Sequence, residues 1–242
     1  MKFAVIGGTG LIGSQVVKSL NAAGHEAVPH SQSTGVDVIT GKGLDEAVAG
    51  ADVLVSLTNS PTFDKDSLAF FQTSMDNLLA AGRKGGIRHF VILSIVGVDK
   101  VPELDYYKAK VLQEDILAAG AIPYSIVRAT QFMEFMDATM SWTTDGDTVR
   151  LPPTPIQPIA AKDVADAVAE VAAGAPLGGI RNIGGPEVFT LDELGRITLS
   201  HKSDGRTVVT DPTAGMFAAV KGDVLTDKNA HLAPTRYADW LS

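Results

Sequence analysis

The sequence contains no cysteine. Disulfide bonds, thiolate metal sites and cysteine nucleophiles are therefore excluded, and the composition is compatible with a cytoplasmic protein. The five histidines are scattered along the chain, without the paired spacing that is typical of metal ligands. We therefore expect no bound metal.

Positive charge is also scarce, since 20 lysines and arginines face 28 aspartates and glutamates. The net charge is −8 and no basic cluster is present, so nucleic acid is not an expected partner. No apolar run approaches the length that spans a bilayer, and the N-terminus leads directly into a predicted strand. We expect neither a membrane segment nor a signal peptide.

Glycine is abundant, and three glycines follow the apolar run that begins at Lys2. Gly7 allows a tight turn off the strand, Gly10 allows the backbone to approach a pyrophosphate, and Gly13 allows a helix to pack closely. The phosphates would meet free N–H groups at the helix N-terminus. The sequence therefore predicts a dinucleotide site formed by Gly7, Thr9, Gly10, Leu11, Ile12 and Gly13.

Strand and helix patterns alternate through the first half of the chain. The predicted strands are 2–6, 26–29, 36–39, 51–55, 88–93 and 123–127, and the predicted helices are 11–23, 44–49, 62–83 and 106–119. Repeated β-α-β spacing is typical of a parallel sheet with right-handed crossovers. We predict an α/β fold with a doubly wound, Rossmann-type sheet.

The pattern changes in the second half. Helices are predicted over 130–142 and 162–173, a strand over 180–183, and a capping box at 190–193 opens a further helix. No linker composition separates the halves, so residues 1–242 are predicted to form one domain, with a small substrate lobe from about residue 130 onward. The phenylalanines and methionines of 132–140 suit either an apolar substrate pocket or a core helix.

The end of the second predicted strand bears on the choice of cofactor. NAD sites usually place a carboxylate here that accepts a hydrogen bond from the ribose 2′-hydroxyl, but Glu26 lies at the start of this strand. The strand instead ends at His30 and Ser31, which can donate to a 2′-phosphate. This favours NADP, with NAD possible. A solvated loop histidine is the alternative interpretation of His30.

Tyr106 and Lys110 lie four residues apart on a predicted helix and so share one face. An ammonium beside a phenol lowers the pKa of the phenol, which can then act as a general acid when hydride reduces a carbonyl. Two half-exposed helix residues are the alternative interpretation. Tyr107 and Lys108 also leave the register of this pair open.

The motifs occur in the order seen in short-chain dehydrogenases/reductases. The chain resembles most closely the atypical, extended-like branch that contains the NmrA-like proteins, over nearly its whole length. The residues that carry the resemblance are Gly7-Gly-Thr-Gly10-Leu-Ile-Gly13, Asp37-Val38, Leu93-Ser94-Ile-Val-Gly97, Tyr106-x-x-x-Lys110 and Arg128-Ala-Thr-Gln-Phe132.

The resemblance implies further cofactor contacts. Asp37 and Val38 would line the adenine pocket. Thr58 and Asn59 would lie along the cofactor ribose and phosphates. Thr130 belongs to the segment that would border the nicotinamide.

The resemblance also implies catalytic roles. Tyr106 would donate the proton and Lys110 would hold the nicotinamide ribose. Ser94 would polarise the substrate carbonyl, although the register could instead place Val96 at that position. Extended enzymes often have several serines here, so this departure weakens the polarising role.

Two functions remain open. The first is an NADP-dependent oxidoreductase that reduces a small apolar carbonyl or quinone. The second is a non-catalytic NADP(H) redox sensor that acts through a protein partner. The Tyr106–Lys110 pair favours the enzyme, whereas the serine position favours the sensor. A homodimer is compatible with both.

Overall fold

The computed structural model describes residues 1–220 and 222–242. The strands are β1 (Lys2–Ile6), β2 (Glu26–His30), β3 (Val53–Ser56), β4 (His89–Ile95), β5 (Tyr124–Ala129), β6 (Thr144–Asp145), β7 (Thr148–Leu151), β8 (Pro155–Ile156), β9 (Gly179–Gly184), β10 (Phe189–Thr190), β11 (Thr207–Thr210) and β12 (His231–Leu232). The helices are α1 (Leu11–Ala22), α2 (Leu44–Val48), α3 (Asp66–Gly85), α4 (Asp105–Ala119), α5 (Met136–Trp142), α6 (Ala161–Ala173), α7 (Leu191–His201) and α8 (Tyr237–Leu241).

Seven of the described strands form the central sheet, in the order β12–β9–β5–β4–β3–β1–β2. The pairs β1–β2, β1–β3, β3–β4 and β9–β12 are parallel. The strand order reverses beside β1, and ligands of open α/β sheets bind at such a reversal, outside the carboxyl ends of the strands. The predicted Rossmann-type fold is confirmed.

The described residues divide into two compact units. The first comprises Met1–Ser94, Asp105–Arg128 and Val164–Arg181, and the second comprises Ile95–Leu104, Ala129–Asp163 and Asn182–Ser242. In the first unit, Ser19 donates a hydrogen bond of 2.7 Å to Asp166, and Leu177 N–H donates to Ser125 Oγ at 2.9 Å. These contacts hold the late segment 164–181 within the first unit.

The core of the first unit explains why its elements form. Strand β3 is buried along its whole length, as expected for a strand with neighbours on both faces. Helix α1 buries Val16 and Leu20 at helical spacing. Helix α3 contributes Met75 and Leu78 to the same core as Leu54 of β3.

The second unit has its own core. Met133, Met136 and Met140 are buried there together with Leu194 and Tyr237. The core interpretation of the methionine cluster is therefore correct for these side chains. Phe135, by contrast, is exposed.

Two predictions made in the first half of the chain were wrong. Residues 36–39 form no strand, because the Asp37 carboxylate accepts the N–H groups of Ile39 and Thr40 and folds the chain into a turn. Helix α3 begins at Asp66 rather than at Thr62. Asp64 accepts the Asp66 N–H at 2.9 Å, which forms a turn directly before the helix.

Two predictions in the second half also need correction. Residues 130–132 are not helical, because Phe132 is extended and bridges to Ile159. Helix α7 begins where the capping box predicts, but the Thr190 side chain makes no capping hydrogen bond. No helix within the described residues is long and apolar enough to cross a membrane.

Candidate cofactor-binding and active site

Three strands of the first unit end side by side. Ile6 of β1 is in register with His30 of β2 and with Ser56 of β3. The turn after Gly7 and the loops that begin at Ser31 and at Leu57 therefore leave the sheet at one level. This places the predicted cofactor residues of these loops at one edge of the sheet.

The glycine turn is closed by its own backbone. Gly7 has a φ of +79°, and a Cβ added there would lie 2.8 Å from the Leu57 carbonyl. A Cβ on Gly13 would lie 2.7 Å from Gly8 Cα. At Gly10 the nearest atom to an added Cβ is Gly7 O at 3.3 Å. Gly7 and Gly13 are thus required by the fold, whereas Gly10 is the position that leaves room for a ligand.

The N-terminus of α1 suits an anion. Gly10 is its N-cap and supplies no side-chain hydrogen bond, and no acidic residue lies in the first turn. Ser14 N–H donates to Gly10 O at 3.0 Å, which is the first hydrogen bond of the helix. The N–H groups of Leu11, Ile12 and Gly13 come before it and take no part in the hydrogen bonds of the helix. The site fits a dinucleotide pyrophosphate, since N–H groups outside the helical hydrogen bonds and the helix dipole both attract negative charge.

The end of β2 carries little charge. Burial, and then the nearby Lys2 ammonium, lower the pKa of His30 below its ordinary value, which favours the neutral imidazole. Ser31 Oγ lies 2.8 Å from Ser33 Oγ. The carbonyl of His30 accepts the Gly7 and Gly8 N–H groups and so ties the strand to the glycine turn.

The loop that contains Asp37 and Val38 is fixed from α3. Asn77 Nδ2 donates to Val38 O at 2.9 Å and to Ile39 O at 3.0 Å. Hydrogen bonds from Ile39 N–H and Thr40 N–H lower the pKa of Asp37. The fixed loop carries the two residues that the resemblance assigned to the adenine pocket.

The loop after β3 reaches the candidate proton donor. Thr58 Oγ1 lies 3.1 Å from Ser56 Oγ. The next residue, Asn59, accepts a hydrogen bond from the Tyr106 hydroxyl through its Oδ1 atom. The contact joins a predicted cofactor residue to a predicted catalytic residue.

Tyr106 is only 8% exposed, and its ring packs against two phenylalanines. The centroid of the Tyr106 ring lies 4.9 Å from that of Phe63 and 6.2 Å from that of Phe71. Burial, and then Tyr107, raise the pKa of Tyr106, while the bond to Asn59 lowers it. The expected lowering by Lys110 was wrong for this structure, because the ammonium bonds elsewhere.

Lys110 is buried, with 4% of its surface exposed. Its Nζ atom donates to Leu93 O at 2.8 Å and to Gln113 Oε1, and lies 4.8 Å from the centre of the Phe71 ring. Burial lowers the pKa of Lys110 to about 7, and the Glu114 carboxylate opposes this effect. Lys108, in contrast, is exposed and pairs with Asp105, so burial distinguishes the two lysines.

Sequence reasoning missed the residues that support Lys110. Gln113 and Glu114 follow Lys110 by three and four residues, and this helical spacing alone could have indicated that they lie beside it. Glu114 forms a buried ion pair with Arg128, with N–O distances of 2.9 and 2.6 Å. The pair joins α4 to β5 through two parallel hydrogen bonds.

Two further candidate residues are buried with unpartnered hydroxyl groups. Among the described residues, no hydrogen-bond partner is found for Ser94 Oγ or for Thr130 Oγ1. Ser94 lies near the end of β4 in the first unit, whereas Thr130 follows β5 and belongs to the second unit. A free buried hydroxyl is a site at which a ligand can supply the missing partner.

Comparison with known proteins places these residues in a family. Residues 7–174 match the model of the family described as NAD(P)H-binding. Divinyl chlorophyllide a 8-vinyl-reductase of Cucumis sativus is 31% identical over 174 residues, covering 59% of this chain and 41% of that protein. Photosystem II assembly factor Ycf39 of Synechocystis is 27% identical over 151 residues, covering 55% of this chain and 46% of that protein. The chain thus spans less than half the length of these relatives.

Solved structures of similar fold cover more of the chain. The quinone oxidoreductase QOR2 of Escherichia coli, crystallised with NADPH, has a TM-score of 0.77 and 19% identity, covering 100% of this chain and 98% of that one. Triphenylmethane reductase of a Citrobacter species has a TM-score of 0.74 and 16% identity, covering 95% and 92%. At these identities the likeness establishes the fold.

Proposed function

The chain belongs to the NAD(P)H-binding family, and we propose that it is an NADP(H)-dependent oxidoreductase that reduces a small apolar carbonyl or quinone. The observation that carries this proposal is the buried pair on α4. Tyr106 donates a hydrogen bond to Asn59 in the loop after β3, and one turn further along the helix Lys110 donates to Leu93 O. The quinone-reductase and vinyl-reductase relatives support a reduction.

Each part of the site would have a separate role in this reaction. The bound cofactor would supply a hydride to the substrate carbon. Tyr106, whose raised pKa keeps it protonated, would give its proton to the substrate oxygen. Lys110 would hold the nicotinamide ribose, and the glycine turn would hold the pyrophosphate. Hydride on carbon and proton on oxygen together reduce a carbonyl to an alcohol; with a quinone, the hydroquinone forms when the added C–H proton is then lost to water and the second oxygen takes up a proton.

The test is NADPH oxidation in the presence of simple benzoquinones and naphthoquinones, followed by absorbance and by identification of the reduced product. We expect substrate-dependent turnover by the wild-type protein. Tight NADPH binding without turnover of any quinone or ketone would contradict the proposal and favour the sensor.

NADP is the proposed cofactor because the end of β2 presents no carboxylate to a 2′-phosphate. The substitution His30→Asp would place one there, and we expect it to weaken NADPH binding about tenfold through charge repulsion while leaving NADH binding almost unchanged. Calorimetric titration of both cofactors measures this. His30→Gln is the control, since it removes the imidazole without adding charge. Equal losses in both variants would contradict the charge argument.

Phe63 is the proposed apolar contact for the substrate. Its ring packs against Tyr106 yet remains 54% exposed, so a planar substrate that reaches the Tyr106 hydroxyl would lie against it. We expect Phe63→Ala to raise KM about fivefold, with a smaller change in kcat, because an aromatic contact is worth on the order of 1 kcal/mol. Steady-state kinetics test this. Phe70→Ala is the control, and an equal effect there would refute a specific role for Phe63.

A further inference from the structure

Lys110 has few polar neighbours for a buried cation. An ammonium has three N–H donors. Two acceptors among the described residues, Leu93 O and Gln113 Oε1, engage two of them, which leaves the third for a ribose hydroxyl. The carbonyl of Leu93 belongs to the backbone of β4 and is fixed by the sheet. Gln113 is therefore the adjustable side-chain acceptor that holds this ammonium.

We propose that Gln113 is a positioning residue of the oxidoreductase, whose amide oxygen favours the protonated form of Lys110 and directs its ammonium toward the cofactor ribose. The inference rests on the proposed function, because it assumes that Lys110 binds the cofactor. It adds a residue at a position that neither the glycine turn nor the Tyr106–Lys110 spacing indicates.

The orientation of the Gln113 amide follows from its neighbours. Its Oε1 atom faces the Lys110 ammonium, and its Nε2 atom lies 3.8 Å from the sulfur of Met75. The reversed orientation would place N–H donors against a cation, which is electrostatically unfavourable. Gln113 is also buried, so water does not compete readily for its oxygen. The local chemistry thus selects the orientation in which the oxygen stabilises the charged lysine.

Few charged groups among the described residues act on Lys110. On α4, Tyr106 and Tyr107 lie about one turn before it and Glu114 one turn after it, and the Glu114 carboxylate raises its pKa. Arg128 of β5 neutralises Glu114 through a two-point ion pair, which reduces what this carboxylate offers to the lysine. The contacts from α3 and β4 are the Phe71 ring and the Leu93 carbonyl, neither of which titrates.

This balance makes the charge of Lys110 sensitive to Gln113. Burial disfavours the ammonium, and the acceptors and the Phe71 ring favour it. Loss of the Gln113 oxygen lowers the pH at which the lysine loses its proton, whereas a carboxylate at this position raises it. Since a neutral amine binds the ribose hydroxyl less well, NADPH affinity should follow the same shift.

The experiment titrates Lys110 directly. Lysine labelled with 13C is followed by NMR from about pH 5 to about pH 11, and Lys110→Met assigns the Lys110 signal. We expect Gln113→Met to lower the pKa of Lys110 by about one pH unit and Gln113→Glu to raise it by at least as much. The Kd for NADPH at pH 8 should rise about tenfold in Gln113→Met, with a smaller rise at pH 6.

Gln72→Met is the matched control, because it removes the amide of an exposed glutamine on α3 that bonds to Asp76. It should leave the titration of Lys110 and the Kd unchanged. Gln113→Glu preserves side-chain shape and keeps the test valid if the methionine variant does not fold. A Lys110 pKa that is the same in wild type, Gln113→Met and Gln113→Glu would overturn the inference.

The inference and the proposed function can fail separately. A wild-type protein that binds NADPH but reduces no quinone or ketone defeats the proposed reaction, while the effect of Gln113 on Lys110 and on Kd still decides the positioning role. Conversely, normal turnover with unchanged pH dependence in both Gln113 variants would defeat the positioning role alone.

Discussion

Replacing Gly10 with valine is expected to abolish NADP(H) binding without unfolding the protein. Gly10 has φ −79° and ψ −178°, an extended conformation that valine adopts readily. A Cβ there meets Gly7 O at 3.3 Å, a tight contact that a shift of the turn by a few tenths of an ångström relieves. The valine methyl groups would instead occupy the approach of the pyrophosphate to α1. We expect Kd to rise on the order of a hundredfold or more, which is about 2.7 kcal/mol.

Calorimetry measures the loss of affinity, and thermal unfolding without cofactor verifies the fold. Gly205→Val is the control, because an added Cβ at Gly205 meets nothing within 4 Å. Gly13→Ala should behave differently from both, since its Cβ would collide with the backbone of Gly8 and destabilise the apoprotein. Retained NADPH binding in Gly10→Val would show that the pyrophosphate does not pass this turn.

Removing the Tyr106 hydroxyl is expected to lower the rate of reduction about a hundredfold or more while cofactor affinity is maintained. Tyr106→Phe keeps the ring contacts with Phe63 and Phe71 and removes the hydrogen bond to Asn59. Single-turnover kinetics and NADPH titration separate the two effects. Tyr107→Phe is the control, because Tyr107 is similarly buried and one residue away. Equal rate losses in both variants would remove the catalytic assignment.

Lys110→Met should lower both the rate of reduction and the affinity for the cofactor. Its stability should also depend on pH differently from that of the wild-type protein. The pKa of Lys110 in the folded protein, about 7, lies below its ordinary value of 10.5. Unfolding therefore takes up a proton between these pH values, and wild-type stability rises with pH across this window. The Tm of Lys110→Met minus that of wild type should fall from pH 7 to pH 10. A pH-independent difference would show that Lys110 titrates normally.

Local patterns were sufficient to predict the glycine turn and the order of elements around it. The spacing of Gly7 and Gly13 reflects the backbone conformation that the turn requires. The alternation of strand and helix patterns along the chain identified β1, β3 and β4. The loop at Asp37 shows the limit of this reasoning. Apolar neighbours favoured a strand there, but a single carboxylate that accepts two N–H groups outweighed them.

The partners of the candidate catalytic residues could be predicted only in part. The spacing of Tyr106 and Lys110 predicts a shared face, and Gln113 lies within one turn of Lys110. Asn59, however, bonds to Tyr106 from a loop 47 residues away, and that contact depends on where β3 lies in the sheet. The direction of the Tyr106 pKa was missed for the same reason, since it is set by burial that spacing does not reveal.

The discontinuity of the first unit has a consequence for synthesis on the ribosome. Residues 164–181 join this unit only after residues 129–163 have been made, and those belong to the second unit. The nascent glycine turn and strands β1 to β5 must therefore wait for a late segment before Asp166 can meet Ser19 and Leu177 can meet Ser125. At roughly 5–20 residues per second, this interval lasts seconds. During this interval, the surfaces that await the late segment are open to chaperones.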